Sequence, residues 1–281
     1  MKLQKLVSVS SLISILFLSS CNSNEKESDK TETTTTGTKT PKLKEETVNY
    51  KIDTLNMRSY LVYDETIEGK RPAVLVIHEW WGLNDYTKRR ARMLAEMGYV
   101  AMAVDMYGNE RMGNDPGAAQ ALAMPYYQHP DMAKKIFDRA VEELKKNPNV
   151  DHTKMAGIGY CFGGGMLLNF VRMGEPLNGI VSFHGSLLGT PANKDLIKAE
   201  ILVCHGEADP FVNAEVAPFK KQMDSIGKAY TFKSYPGATH AFTNPDATET
   251  GKKFNMPIEY NAAADSASWN DMKEFFGRIF K

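Results

Sequence analysis

Ala73-Val74-Leu75-Val76-Ile77 is apolar at every position, and runs of similar character recur between segments of helical spacing. A strand that is apolar on both faces belongs inside a parallel sheet with helices on either side. Tyr99 to Val104, Lys154 to Tyr160, Gly179 to Phe183, Ile201 to Cys204 and Ala229 to Tyr235 read as further strands. Asn84 to Met97, Asp131 to Lys146, Gly163 to Met173, Ala214 to Ile226 and Ala262 to Phe280 read as helices. Upstream, Thr47 to Asp53 and Met57 to Tyr63 have the look of a hairpin around Asn56. The expected class is α/β, with a mostly parallel central sheet of about eight strands and helices on both faces. No linker-like break or internal repeat divides residues 46 to 281, so one domain is expected. Hydrophobic residues make up 42% of the chain, enough for a sizeable core.

Other classes are disfavoured. Lysine plus arginine and aspartate plus glutamate number 34 each, so net charge draws the chain to neither nucleic acid nor an anionic membrane. The CxxC and HExxH metal patterns are absent, and no metal or cofactor is expected.

Chemistry concentrates at strand ends. Gly159-Tyr160-Cys161-Phe162-Gly163 sits where an apolar strand meets a helix, with Gly164 and Gly165 behind it. This matches the Gly-x-Ser-x-Gly nucleophile elbow with cysteine in the serine place. Such a turn is sharp and strained, and side chains beside the nucleophile would clash with strand and helix. The helix that starts there offers free N–H groups and a positive end, which favour a thiolate and can bind an oxyanion. Taken alone, the turn also suits a phosphate, and the cysteine also suits a core.

Two further segments bear on that choice. Cys204-His205-Gly206-Glu207-Ala208-Asp209 ends a strand and looks like the acid loop of α/β-hydrolases; Asp209 could otherwise cap the next helix. Pro236-Gly237-Ala238-Thr239-His240-Ala241-Phe242 places a histidine in a loop ahead of the final helix. Cys161, Asp209, His240 is then the nucleophile, acid, histidine order of that fold. His78, His184 and His205 read as structural, and His129 and His152 as loop residues. Ile77-His78-Glu79-Trp80-Trp81-Gly82 follows a central strand, where a second oxyanion donor belongs. A glutamate so close to a nucleophile is costly without a role or partner.

The N-terminus reads differently. Lys2 and Lys5 precede an apolar run from Leu6 to Leu18, shorter than the roughly 20 residues that span a bilayer. It ends in Leu18-Ser19-Ser20-Cys21, which resembles the lipobox of bacterial lipoproteins. The resemblance implies a signal peptide over residues 1 to 20 and a lipid on Cys21, making an exported, membrane-anchored protein, periplasmic or at the cell surface. An ordinary secretory signal is the alternative. Residues 21 to 45 then form the anchor and a polar tether. Cys161 and Cys204 fit no recognised spacing, and no structural disulfide is expected.

Together the four strand-end segments, with Val104-Asp105-Met106-Tyr107 and the closing helix containing Trp269, resemble the dienelactone hydrolase family. The likeness spans residues 46 to 281 and implies a single-domain α/β-hydrolase fold. It implies Cys161 as nucleophile, His240 as base and Asp209 as its orienting partner. Glu79 resembles the family glutamate that pairs with the resting cysteine, and the N–H groups of Phe162 and Trp80 would form the oxyanion hole. Trp81, Tyr107, Phe242 and Asn244 are candidate pocket residues. The family's lactone hydrolase holds a substrate carboxylate with arginines; here Asn244 stands at one of those places and Arg111 is displaced from the other. Dienelactone itself is therefore a doubtful substrate. The stretch from Met106 to Pro130, with Met112, Met124, Tyr126 and Tyr127, could wall a more apolar site or be a surface excursion.

The expected function is cleavage of carboxylic esters or lactones through an acyl-thioester. A broad carboxylesterase or deacetylase outside the cytoplasm, or a catalytically silent binding protein on the same fold, are the alternatives. A monomer is expected, with a small-molecule substrate as its partner and the membrane reached only through the anchor.

Overall fold

The computed structural model describes residues 40–281, so the signal segment and Cys21 lie outside the described residues. The strands are β1 (Leu43–Ile52), β2 (Leu55–Asp64), β3 (Arg71–Ile77), β4 (Val100–Val104), β5 (Val150–Tyr160), β6 (Gly179–Phe183), β7 (Glu200–Gly206) and β8 (Thr231–Tyr235). The helices are α1 (Asp85–Glu96), α2 (Pro116–Gln128), α3 (Pro130–Lys145), α4 (Phe162–Arg172), α5 (Asn213–Ser225), α6 (Ala247–Phe254) and α7 (Ala262–Ile279). The strands form one sheet in the order β1-β2-β4-β3-β5-β6-β7-β8. The β1–β2 and β2–β4 pairs are antiparallel, and every pair from β4 to β8 is parallel.

Strand alternation splits the apolar residues between two cores. Ala73, Leu75 and Ile77 of β3 join Phe137 of α3, Phe170 of α4 and Phe219 of α5 on one face. Val74 and Val76 join Leu94 of α1 and Phe276 of α7 on the other. Each fully buried Leu, Val or Phe side chain contributes about 1.5–3 kcal/mol. The parallel strands therefore run in one direction inside two layers of helix, and their C-terminal ends share one edge of the sheet.

Three local expectations are corrected. Leu43 to Glu45, read as tether, begin β1 and pair with Asp64, Tyr63 and Val62. An edge strand leaves its charged side chains in solvent, so its composition resembles a linker. The hairpin turns at Asp53-Thr54 rather than at Asn56, with Ile52 opposite Leu55 and Asp53 at φ 50°; aspartate is among the few residues that enter this region readily. Finally, α2 and α6 escape the hydrophobic pattern. Helix α2 is alanine-rich, carries Pro125 inside it and buries only Ala119, Ala123 and Tyr126; α6 is short and buries only Ala247 and Gly251. Such helices carry little periodic signal.

Candidate active site

Four loops meet above the C-terminal edge of the sheet. They follow β3 (Glu79 to Trp81), β5 (Cys161), β7 (Asp209) and β8 (His240). Cys161 takes φ 51° and ψ −111°, a conformation that costs about 1–3 kcal/mol for a side-chain-bearing residue. Its N–H is shared between Phe183 O (3.0 Å) and His184 Nδ1 (3.1 Å), and its carbonyl accepts from Gly165 N–H (3.1 Å). The glycines are steric necessities: a Cβ on Gly159 would lie 2.3 Å from the Gly163 backbone, and one on Gly163 would lie 2.4 Å from Ile77 O. Gly163 N–H also donates to His78 O (3.1 Å), tying the turn to the β3 loop.

His240 Nδ1 lies 2.8 Å from Asp209 Oδ2. The other carboxylate oxygen of Asp209 accepts from Phe211 N–H (2.9 Å) and Val212 N–H (3.2 Å), so this fully buried group has three donors. Burial disfavours a charged imidazole, but the neighbouring Cys161 sulfur and the Asp209 carboxylate outweigh it and hold the His240 pKa well above its ordinary value. Phe211 and His184 set ring edges against His240, at 5.3 and 5.2 Å between centroids.

Glu79 is only 2% exposed. Burial pushes its pKa up to about 7, against an opposing hydrogen bond from Asn244. Asn244 Nδ2 donates to Glu79 Oε2 at 2.7 Å. The glutamate is thus held by the asparagine; among the described residues it makes no hydrogen bond to Cys161, unlike the pairing that the resemblance implies.

Cys161, His240 and Glu79 open into one cleft of about 220 Å³, lined also by Trp80, Trp81, Tyr127, Phe211 and Glu215. A larger cleft of about 500 Å³ lies between β2 and the start of α1, and it contains none of the three. The Phe162 N–H sits at the first position of α4, where a helix provides no acceptor of its own. The Trp80 N–H donates to no backbone carbonyl among the described residues. Among the described residues neither N–H has a backbone acceptor.

The candidate pocket residues separate. Trp81 lines the cleft. Tyr107 does not: it is fully buried, with its hydroxyl donating to Trp80 O (2.9 Å) beneath the loop. Phe242 is also fully buried, because the chain turns at Ala241 (φ 59°) and the ring packs against Tyr235 and His184. Asn244 acts on Glu79. Tyr127 comes from α2, within the stretch suspected of walling the site. Ser186, Phe211, Val212, Glu215, Met256 and Ile258 were not foreseen, since none belongs to a motif. Cys204, by contrast, is buried within β7, and burial pushes its thiol up to about 12.

A sequence model described as "Dienelactone hydrolase family" matches residues 57–280. The chain belongs to the dienelactone hydrolase family. Protein usf of Aquifex pyrophilus is 28% identical over 236 residues, covering 82% of this chain and 97% of that one. Among solved structures, a dienelactone hydrolase-like promiscuous phosphotriesterase from metagenomic libraries shares 33% identity. Its TM-score is 0.77, over 84% of this chain and 98% of the other. The dienelactone hydrolase of Anabaena variabilis (21% identity, TM-score 0.58, 80% and 95% covered) shares the fold. The eight-stranded sheet is thus that of an α/β-hydrolase, and the chain is a hydrolase of the dienelactone hydrolase type.

Proposed function

We propose that this dienelactone hydrolase family member cleaves carboxylic esters or lactones with Cys161 as nucleophile, His240 as proton carrier and Asp209 as the group that orients it. The observation that carries this reading is the positive-φ turn that presents Cys161 beside His240, whose far nitrogen is fixed by Asp209 at 2.8 Å. Cys161 passes its proton to His240, and the thiolate sulfur adds to the substrate carbonyl carbon. The oxygen becomes an anion facing the N–H groups of Phe162 and Trp80, each such donor being worth about 10²–10³ in rate. The tetrahedral species collapses, the C–O bond breaks, and the leaving oxygen takes a proton from His240. Water, deprotonated by His240, then attacks the acyl-thioester; the C–S bond breaks and the acid departs. A thiolate expels enols and phenols more readily than amines, which favours activated esters and lactones over peptides.

Asn244 on Glu79, and a cleft lined by no lysine or arginine among the described residues, support a broader carboxylesterase over an enzyme that grips a carboxylate-bearing lactone. Cys161→Ala is expected to lower turnover of a p-nitrophenyl ester by at least about 10³-fold. Wild-type-like turnover in that variant would remove the nucleophile assignment and with it the mechanism.

The domain is further proposed to work at a membrane, tethered through lipid on Cys21; among the described residues no helix is long and apolar enough to cross one. Cys21→Ser should move the protein from the membrane to the soluble fraction, and continued sedimentation with membranes would refute the anchor.

A further inference from the structure

Glu215, in the first turn of α5, brings a second carboxylate to the cleft. Its Oε2 accepts from Ser186 Oγ (2.9 Å), Leu187 N–H (2.6 Å) and Leu188 N–H (3.1 Å). Three donors on one oxygen fix the side chain, and the other oxygen accepts from no described residue. No cation forms an ion pair with it among the described residues. Buried Arg172 is coupled to it through charge alone: its Nη2 donates to Leu187 O (2.8 Å) and Gln222 Oε1 (3.2 Å), and its Nη1 has no partner among the described residues. The rest of the wall is aromatic: Trp80, Trp81, Tyr127 and Phe211.

We propose that Glu215 sets the charge preference of this site, so that it takes esters carrying a cationic group, such as a quaternary or primary ammonium, and rejects those carrying a carboxylate. This rests on the esterase reading above and names its substrate class. A fixed carboxylate attracts a positive group through a half-shielded cleft, where the effective dielectric is far below that of water. Ring faces add to the attraction, because their quadrupoles are negative above and below the plane. A substrate carboxylate meets repulsion and finds no lysine or arginine among the described lining residues. Among the described residues, the other titratable groups lining the cleft are Cys161, His240, Tyr127 and Glu79. A protonated His240 is already matched by Asp209, and Glu79 can only add negative charge.

Three p-nitrophenyl esters test this, their acyl chains matched in length and ending in trimethylammonium, tert-butyl or carboxylate. The leaving group is common to all, so differences report the acyl end. Wild type should favour the ammonium ester over the carboxylate ester in kcat/KM by at least about tenfold. Glu215→Gln keeps an acceptor for Ser186 and the two N–H groups while removing the charge, and should bring that ratio to within about threefold of one. A second measurement needs no variant: on wild type, phenyltrimethylammonium should inhibit competitively at lower concentration than tert-butylbenzene or benzoate. A wild-type ratio near one, or a folded Glu215→Gln protein with the ratio unchanged, would overturn Glu215 as the selector while leaving the esterase reading intact. Silence toward all three esters would overturn both.

Discussion

Three carboxylates stand around one sulfur and imidazole, and two of them make an instructive pair. Asp209, in the loop after β7, is fully buried and has three donors, two backbone N–H groups and His240. Glu79, in the loop after β3, is nearly as buried and has one, the amide of Asn244. Burial alone penalises both charges. The donors differ: Asp209 accepts from two backbone N–H groups and His240, whereas Glu79 has the one amide, its pKa is pushed up to about 7, and it is divided between its two forms near neutrality. Carboxylates at similar depth can therefore differ in their hold: one is pinned by three donors beside the imidazole, and the other, with a single donor, changes its charge in the neutral range. Glu215 is a third case, saturated on one oxygen and open on the other.

The largest expected effect comes from removing the charge at Asp209. Asp209→Asn can keep its oxygen on Phe211 and Val212 N–H, but its amide then faces the His240 Nδ1–H donor to donor. The imidazole must turn or change tautomer, and kcat should fall about 10³-fold or more with KM little altered. The check is steady-state kinetics on a p-nitrophenyl ester. A loss under tenfold would mean that His240 does not depend on this partner, and the contrast with Glu79 would lose its functional meaning.

Legibility in the sequence follows the same division. Cys161, Asp209 and His240 stand out in the sequence because each follows a strand in a glycine-containing loop; around Cys161 and in the acid loop a Cβ on Gly159, Gly163 or Gly206 would meet backbone, and Gly237 ahead of His240 takes φ 68°. The sheet was readable because strands buried on both faces, such as Ala73 to Ile77, are apolar without interruption. The wall was not. Phe211 and Glu215 come from a loop and a helix start, Met256 and Ile258 from the segment after α6, and Tyr127 from a helix with little periodicity. Nothing local requires these residue types; they meet only because the tertiary fold brings their segments over the cleft. Tyr107 and Phe242 failed in the opposite sense: they stand beside motif residues in sequence, but the backbone sends their rings into the core.

Glu79 offers the subtler test, through pH. Its pKa is about 7 in the folded protein against an ordinary 4.5. The folded state therefore keeps a proton that the unfolded chain has released over that interval. The stability this confers is complete below about pH 4.5 and is lost as pH rises through about 7. Glu79→Gln is neutral at every pH and can still accept from Asn244, so its stability should lack this component. The stability of the Gln variant relative to wild type should rise by about 2–3 kcal/mol between pH 5 and pH 8. Urea unfolding of both proteins at several pH values across that range measures it. Parallel curves would show that Glu79 ionises as easily as an exposed carboxylate, and that one amide donor is enough to offset its burial.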